Sequence, residues 1–481
     1  MPIEDLLHPL LKHYLEAPRW LTASAGRAYA LLPEGIRIGG AYSGFRDELA
    51  ASRGRVGAWR LARRKLEDTL RWAIETVPAY RRFGPLLDEI EDPADLLAQM
   101  PVTGKLDIKR DPNHYVSSAM PASKRLRMFT GGSTLNPMQF YLHRDLSRPK
   151  ESAFMQCFRE RLGARTRDLT LSLRGRPVRS AARQGGSLWM LEPIKRQLVL
   201  SSDHLEERYM PQYAATLLEH KPAFIEAFPS ALYPLARWLA EHPLPEFTSG
   251  LRGVMLFSET VYGFQMRLFR EVFGCPVLSH YGHSERVLMA ASMPDDDRYF
   301  FWPQYGWFEL LDGAGKPITT PGVLGHIVGT SFDNRVMPFV RYRTGDLGVL
   351  GERGHPDLPG FPVCERIEGR LQEFVVCRDH RLVSIATIGA AHFPQLAYSD
   401  AIQYEQRRPG EVTLKIVAPQ PPSAEQRQQI AAAFREKTQG GCDARVIRVD
   451  TIERTERGKG RMLVQHLDLS GYFGATRVGG C

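Results

Sequence analysis

The chain has 481 residues, of which 43% are apolar and 24% charged. These are the proportions of an ordinary globular protein and exclude collagen, mucin-like stalks and wholesale disorder. Lys and Arg number 63 against 54 Asp and Glu, a net charge of +9; this mild excess suits anionic ligands without choosing among nucleotides, nucleic acid and a membrane surface.

At roughly 150 residues per domain the length predicts about three compact units. No aromatics alternate with the basic clusters at 60–65 and 124–127, so a stacking platform for nucleic acid is not expected. No apolar run reaches the roughly 18 residues of a membrane span. Glu4 and Asp5 stand where a secretory signal would be basic, and a cytoplasmic protein is expected. The cysteines at 157, 275, 364, 377, 442 and 481 include no Cys-x-x-Cys pair, and they read as reduced thiols rather than metal ligands.

The first 120 residues read as helical and irregular. Over 58–77, Ala62, Leu66, Leu70, Ala73 and Val77 recur at steps of three and four, one face of an amphipathic helix that Pro78 ends. Its basic side, with Arg60, Arg63, Arg64 and Arg71, reads as a solvated face. Two strands are expected at 125–129 and 138–142 around a polar loop, then helix over 207–242. Segments 254–257, 264–273 and 277–281 follow in βαβ order. Consecutive strands fill 299–350, with turns at Asp312-Gly313, Pro321-Gly322 and Thr344-Gly345-Asp346. Residues 351–369 read as a loop and a boundary. The tail reads as a smaller α/β unit: a strand at 411–417, a helix opened by Ser423 with Gln426 as a capping box, and a strand at 444–449.

Four segments carry chemistry. Thr130, Gly131, Gly132, Ser133 and Thr134 gather three hydroxyls and two glycines. Backbone N–H groups and hydroxyls turned to one point suit a polyphosphate, and a polar hairpin turn is the plainer reading. No Gly-Lys-Ser/Thr follows, so this is not a Walker A loop. Ser258 and Glu259 end one strand, and Tyr281, Gly282, His283, Ser284 and Glu285 end the next. The carboxyl ends of strands are where open α/β sheets bind ligands. His280 and His283 suggest a metal or acid–base role, although lone loop histidines ordinarily only hydrogen-bond. Asp346 follows Gly345 at an expected turn, where a carboxylate can accept two ribose hydroxyls or simply finish a hairpin. Lys459 lies between Gly458 and Gly460 and is the only Lys after Lys437, in a chain with 12 Lys among its 63 cations. A compact ammonium on a flexible stem suits a crowded site, and a solvated basic loop is the alternative.

Together and in this order, these segments resemble the adenylate-forming (acyl-CoA synthetase-like) superfamily. Val77-Pro78-Ala79-Tyr80-Arg81, the stretch 325–330 before Pro338 and the closing Gly458-Lys459-Gly460-Arg461 bring the chain nearest to the phenylacetate-CoA ligase-like branch. That branch includes capsule-biosynthesis proteins and deazaflavin-coenzyme adenylylating enzymes. The resemblance implies an α/β fold, with a large N-terminal lobe of mixed sheets flanked by helices and a small mobile C-terminal α+β domain. Residues 1–120 would be a helical part of the large lobe, 121–369 its AMP-binding portion and 370–481 the small domain.

It further implies an ATP-dependent, AMP-forming ligase that makes an acyl-adenylate and passes the acyl group to a thiol of CoA or a carrier protein. An adenylyl- or acyl-transferase acting on a sugar, amine or phenol is the alternative. ATP and Mg²⁺ would be required. The loop 130–137 would hold the β- and γ-phosphates, Ser258 and Glu259 would line the adenine and acyl pockets, and Tyr281 and Gly282 would flank adenine. Ser284 would meet the α-phosphate, Glu285 would hold Mg²⁺, Asp346 would bind ribose, Arg370 would sit near ribose and phosphate, and Lys459 would bridge carboxylate and α-phosphate. Two positions depart from the family pattern: Leu135 replaces the usual Gly and restricts that backbone, and Gln372 replaces a usual Asp at the hinge.

Overall fold

A computed structural model describes residues 24–26, 28, 29, 32, 34–52, 54–130, 138–165, 168–174, 178, 187–202, 204, 205, 207–352, 354–370, 374–385, 399, 401–453 and 461–469. Near the N-terminus lie helices α1 (Ala41–Ala51) and α2 (Gly54–Thr76). In α2 the expected stripe of Ala62, Leu66, Leu70 and Ala73 is buried, while Arg60, Arg63, Arg64 and Arg71 are exposed. Strands β1 (Arg125–Phe129) and β2 (Gln139–His143) form an antiparallel ribbon, and helix α3 (Arg144–Arg161) follows directly.

The chain then alternates: β3 (Thr170–Leu173), β4 (Trp189–Glu192), β5 (Gln197–Leu200), α4 (Met210–His220), β6 (Phe224–Ala227), α5 (Pro229–Glu241), β7 (Gly253–Phe257), α6 (Gly263–Phe273) and β8 (Val277–Gly282). Six antiparallel strands continue the sheet: β9 (Met289–Met293), β10 (Asp296–Phe301), β11 (Gly306–Leu311), β12 (Leu324–Ser331), β13 (Tyr342–Leu350) and β14 (Val363–Arg370). Together they make a 12-stranded sheet in the order β11-β12-β13-β14-β10-β9-β8-β7-β6-β3-β5-β4. Only β5, β3, β6, β7 and β8 run parallel. This is the expected α/β class, a large mixed sheet flanked by helices with a smaller sheet after it.

Three local readings change. The helical stretch 207–242 is interrupted by β6, whose four residues are all buried. A strand covered on both faces has no alternation to betray it. The boundary loop ends at 362, because β14 joins the large sheet beside β13 and β10. Thr344-Gly345-Asp346 is not a hairpin turn. It lies inside β13, where these three residues bulge opposite the single residue Ile327.

After a two-stranded ribbon of β15 (Phe374–Val376) and β16 (Leu382–Ser384), four strands form the smaller sheet: β17 (Ala401–Arg408), β18 (Glu411–Val417), β19 (Asp443–Arg448) and β20 (Leu463–Gln465). Helix α7 (Ala424–Lys437) opens with the expected Ser423–Gln426 capping box and buries Ile430 and Phe434 against this sheet. Among the described residues no helix is long and apolar enough to cross a membrane.

A buried ion network fastens α1, α2 and α3 to the large sheet. Lys150 of α3 reaches Asp333 at 2.9 Å and donates to the Tyr305 and Phe332 carbonyls at 2.7 and 2.9 Å. Lys65 of α2 bridges Asp333 and Glu48 at 3.1 and 2.9 Å. Burial pulls the Lys150 ammonium down to about 8 against the pull of Asp333. Burial alone would push Asp333 up, yet the two ammoniums hold it below the usual carboxylate range. Asp333 adopts a left-handed backbone with φ of 65°, which Asn tolerates equally well. Asp333→Asn therefore removes the charge without backbone strain. It should cost about 3–5 kcal/mol in urea unfolding, because buried Lys150 loses its carboxylate and Lys65 keeps only Glu48; a loss below about 1 kcal/mol would show the network to be incidental.

Candidate active site

The carboxyl end of β8 and the bulge of β13 meet. Three strands, β9, β10 and β14, lie between them in the sheet, a separation of about 19 Å if the sheet were flat. Yet the Tyr281 hydroxyl donates to Asp346 Oδ2 at 2.9 Å, with Thr344 Oγ1 3.5 Å away. The sheet must therefore curl until its two halves touch. Gly345, with φ of 87°, makes the bulge that turns Asp346 inward. Thr344 fixes the bulge by accepting from the Asp346 N–H at 3.1 Å and donating to the Ile327 carbonyl at 3.0 Å. Burial, with the Asp346 carboxylate alongside, pushes the Tyr281 phenol well above its ordinary value. The hydroxyl stays protonated and can only donate to that carboxylate.

One turn beyond β8, Glu285 is 8% exposed and accepts a hydrogen bond from the Tyr342 hydroxyl at 2.8 Å. Tyr342 opens β13, so the same two regions are tied twice. Among the described residues no group of three or more His, Cys, Asp or Glu is placed to hold a metal. Among these residues a resident metal has no cage, whereas one buried carboxylate suits Mg²⁺ carried on phosphates, which ordinarily takes one or two carboxylates from protein.

The other expected residues fall as follows. Thr130 is buried and closes the base of its loop, with its N–H donating to the Met138 carbonyl and its Oγ1 accepting from the Met138 N–H, both at 2.9 Å. Met138 packs in one apolar cluster with Val287, Leu288 and Tyr342, so this loop springs from the wall beside Glu285. Gly131, Gly132, Ser133, Thr134, Leu135, Gln372 and Lys459 lie outside the described residues. Gly282 ends β8, and Ser284 lies in the turn closed by the Arg286 N–H on the His283 carbonyl. Arg370 is the backbone partner of Asp346 across the β13–β14 ladder. Ser258 is exposed and left-handed at φ of 63° where β7 ends. Glu259 is differently engaged: its carboxylate accepts from the Ser230 N–H and hydroxyl, both at 2.9 Å, at the N-terminal turn of α5, where negative charge is favoured.

Sequence reasoning missed Tyr342 and Ser230 as supports. Neither carries a local signal, since each acts through a partner 57 or 29 residues away.

No protein-family model matches the chain. A phenylacetate-coenzyme A ligase of Pseudomonas putida is 25% identical over 326 residues, 65% of this chain and 71% of the relative. Among solved structures the chain is similar to a 2-hydroxyisobutyryl-CoA ligase in the postadenylation state, in complex with 2-HIB-AMP. That match has a TM-score of 0.62 at 19% identity and covers 85% of this chain and 90% of the other. An acyl acid amido synthetase in complex with 2,4-DB aligns with TM-score 0.55 at 15% identity, over 85% and 89%. The chain thus has the fold of the adenylate-forming enzymes. Within that class its sequence likeness is to a phenylacetate-CoA ligase, in agreement with the motifs.

Tyr342→Phe deletes only the hydroxyl that binds Glu285. A hydrogen bond to a buried charge contributes about 1.5–3 kcal/mol, so the urea midpoint should fall by that equivalent with an unchanged slope. A parental midpoint would mean that Glu285 is held by other groups.

Proposed function

We propose that this protein uses ATP to activate a carboxylic acid as an acyl-adenylate, releasing pyrophosphate, and then transfers the acyl group to the thiol of CoA or a carrier. The observation that carries this reading is the double tie between the end of β8 and β13, Tyr281 to Asp346 and Glu285 to Tyr342, supported by the likeness to a phenylacetate-CoA ligase. The Tyr281 ring lies along adenine, and Asp346 accepts from the ribose hydroxyls, with Arg370 beside it. Ser284 donates to the α-phosphate. The loop 130–137 holds the β- and γ-phosphates, its ends pinned at Thr130. Glu285 is the residue that holds Mg²⁺, which when bound neutralises phosphate charge.

The substrate carboxylate attacks the α-phosphorus, the bond to the bridging oxygen breaks, and pyrophosphate leaves. A carboxylate is ionised at neutral pH, so no general base is needed, and no such arrangement stands out in the sequence. Two anions must meet, and Lys459 supplies the positive charge between them. The thiol, as thiolate, then attacks the acyl carbon and AMP departs with its electron pair. We take residues from about 370 onward as the unit that brings Lys459 in and later turns away.

The test is ATP–pyrophosphate exchange and AMP formation across a panel of aryl and short-chain acids, with and without CoA. Lys459→Ala should slow exchange by roughly two to three orders of magnitude, as loss of one positioned donor does; exchange at the parental rate would remove Lys459 from the reaction. Asp346→Ala should raise KM for ATP about ten- to hundredfold with kcat nearly kept, because the ribose bonds exist before and during reaction. Unchanged KM with a fallen kcat would refute the ribose role.

A further inference from the structure

Successive side chains of a strand point to opposite faces, and the ribbon of β15 and β16 uses both. Phe374 and Val376 of β15 pack with Leu347 of the large sheet. Val375 and the residue after the strand, Cys377, pack instead with Tyr404, Leu414 and Phe434 of the smaller unit. A second cysteine meets Cys377 there. Cys442, just before β19, has its Sγ 3.6 Å from Cys377 Sγ, and both residues are fully buried.

Backbone contacts hold the two segments side by side. The Arg378 N–H donates to the Gly441 carbonyl at 2.9 Å, and the Cys442 N–H donates to Thr438 Oγ1 at 3.1 Å. A Cβ at Gly441 would come within 2.5 Å of Cys377 Sγ, so the close approach depends on that glycine. Closing the sulfurs to the roughly 2.05 Å of a disulfide asks each to move by about 0.8 Å. Cys442 Sγ donates to Cys377 Sγ; that bond, with Arg381 and Arg378 nearby, holds the Cys377 thiol below its ordinary value against the effect of burial. As the donor, the buried Cys442 thiol is pushed up. The pair thus divides into a nucleophile and a resolving thiol. The turn at 378–380 beside Cys377 is exposed, and local opening of such a turn admits a small reagent.

We propose that Cys377 and Cys442 form a reversible intramolecular disulfide that fastens the β15–β16 ribbon to the smaller sheet. The oxidant is a small-molecule disulfide. The Cys377 thiolate attacks one of its sulfurs, the S–S bond breaks, and one thiolate leaves with the electron pair. Cys442 then gives its proton to water, and its sulfur attacks Cys377 Sγ and expels the second thiolate. The two cysteines lose two electrons, and the small disulfide is reduced to two thiols. While reduced, the ribbon is held to the smaller sheet by packing and hydrogen bonds alone; once oxidised, ribbon and sheet form one covalent body.

The experiment incubates the whole chain with oxidised glutathione, quenches in acid, alkylates under denaturing conditions and maps the peptides by mass. Cys377 and Cys442 should both be lost to alkylation and appear as one linked peptide pair, two hydrogens lighter than its parts, with no glutathione at either position. Dithiothreitol should restore both thiols. Cys442→Ser removes the resolving thiol and should stop at a glutathione adduct on Cys377, whereas Cys377→Ser should leave Cys442 unmodified. The oxidised parent should unfold at a higher urea midpoint than the reduced parent, because the cross-link restricts the unfolded chain. Urea midpoints of the reduced serine variants establish that they fold, and the parental map decides the matter if one does not. Both thiols still alkylated after incubation, glutathione retained on both, or a link from either to another cysteine would overturn the site. A midpoint not raised by oxidation would overturn the fastening. None of these readouts uses ATP or an acid, so their failure leaves the activation reading as it stands.

Discussion

The hydrogen bond between Tyr281 and Asp346 depends on a sheet that cannot be flat. It joins strands separated by three others, and everything at the site inherits that curvature. The interior of the curl is apolar and aromatic: Phe301 meets Tyr281 edge-on at 5.6 Å and Phe308 at 4.1 Å. Closure also needs one very small residue. A Cβ at Gly306 would come within 2.0 Å of the Val287 carbonyl oxygen, a contact that no real side chain makes. The start of β11 thus lies directly against the segment that follows Glu285, and the turn carrying Ser284 and Glu285 is braced from outside the strand that delivers it.

Strand alternation on β8 gives its two faces different characters. Because alternation on β8 is strict, Tyr281 and His280 cannot share a face. One wall presents a phenol, a carboxylate and a hydroxyl. The other presents the His280 imidazole between Phe158 and Phe257, while the His283 ring lies 5.9 Å from that of Tyr281. The mild net charge of +9 is not concentrated at either wall: Arg159, Arg174 and Arg286 each stand against Glu226 or Glu151. Charge at the reacting point is left to Glu285 and, in the proposed mechanism, to Lys459.

Much of this was legible in the chain because the signals were local. The α2 stripe, the β7–α6–β8 run and the Ser423–Gln426 box each rest on spacing within one element. What escaped depended on distant partners. β6 reads Phe-Ile-Glu-Ala, and its Glu226 looks unsuited to a central strand until Arg159 and Arg174 are brought to it. Gly345 has the same signature in a turn as in a bulge, and the choice is made by β12, which supplies one residue against three. The bond of Glu259 to Ser230 at the start of α5 joins residues 29 apart and has no local signal. Lys150 and Lys65 carry no local sign of a shared partner; only the tertiary fold puts Asp333 between them.

The loop after β7 also bears on how the smaller sheet can move. Tyr262, at the start of α6, is 9% exposed and belongs to the apolar cluster formed by Val375, Tyr404, Leu414, Ile430 and Phe434. Arg237 of α5 donates to the Ser399 carbonyl at 2.7 Å. One seat for the smaller unit is therefore the β7–α6 loop and α5, which Glu259 clamps together through Ser230; a second is Leu347 of β13, packed with Phe374, Val376, Leu382 and Leu469. In the proposed reading Ser258 and Glu259 of this loop border the adenine and acyl pockets, so displacement of Tyr262 would act on the rim of the site. That reading couples the position of the small unit to the pocket through one short stretch of backbone.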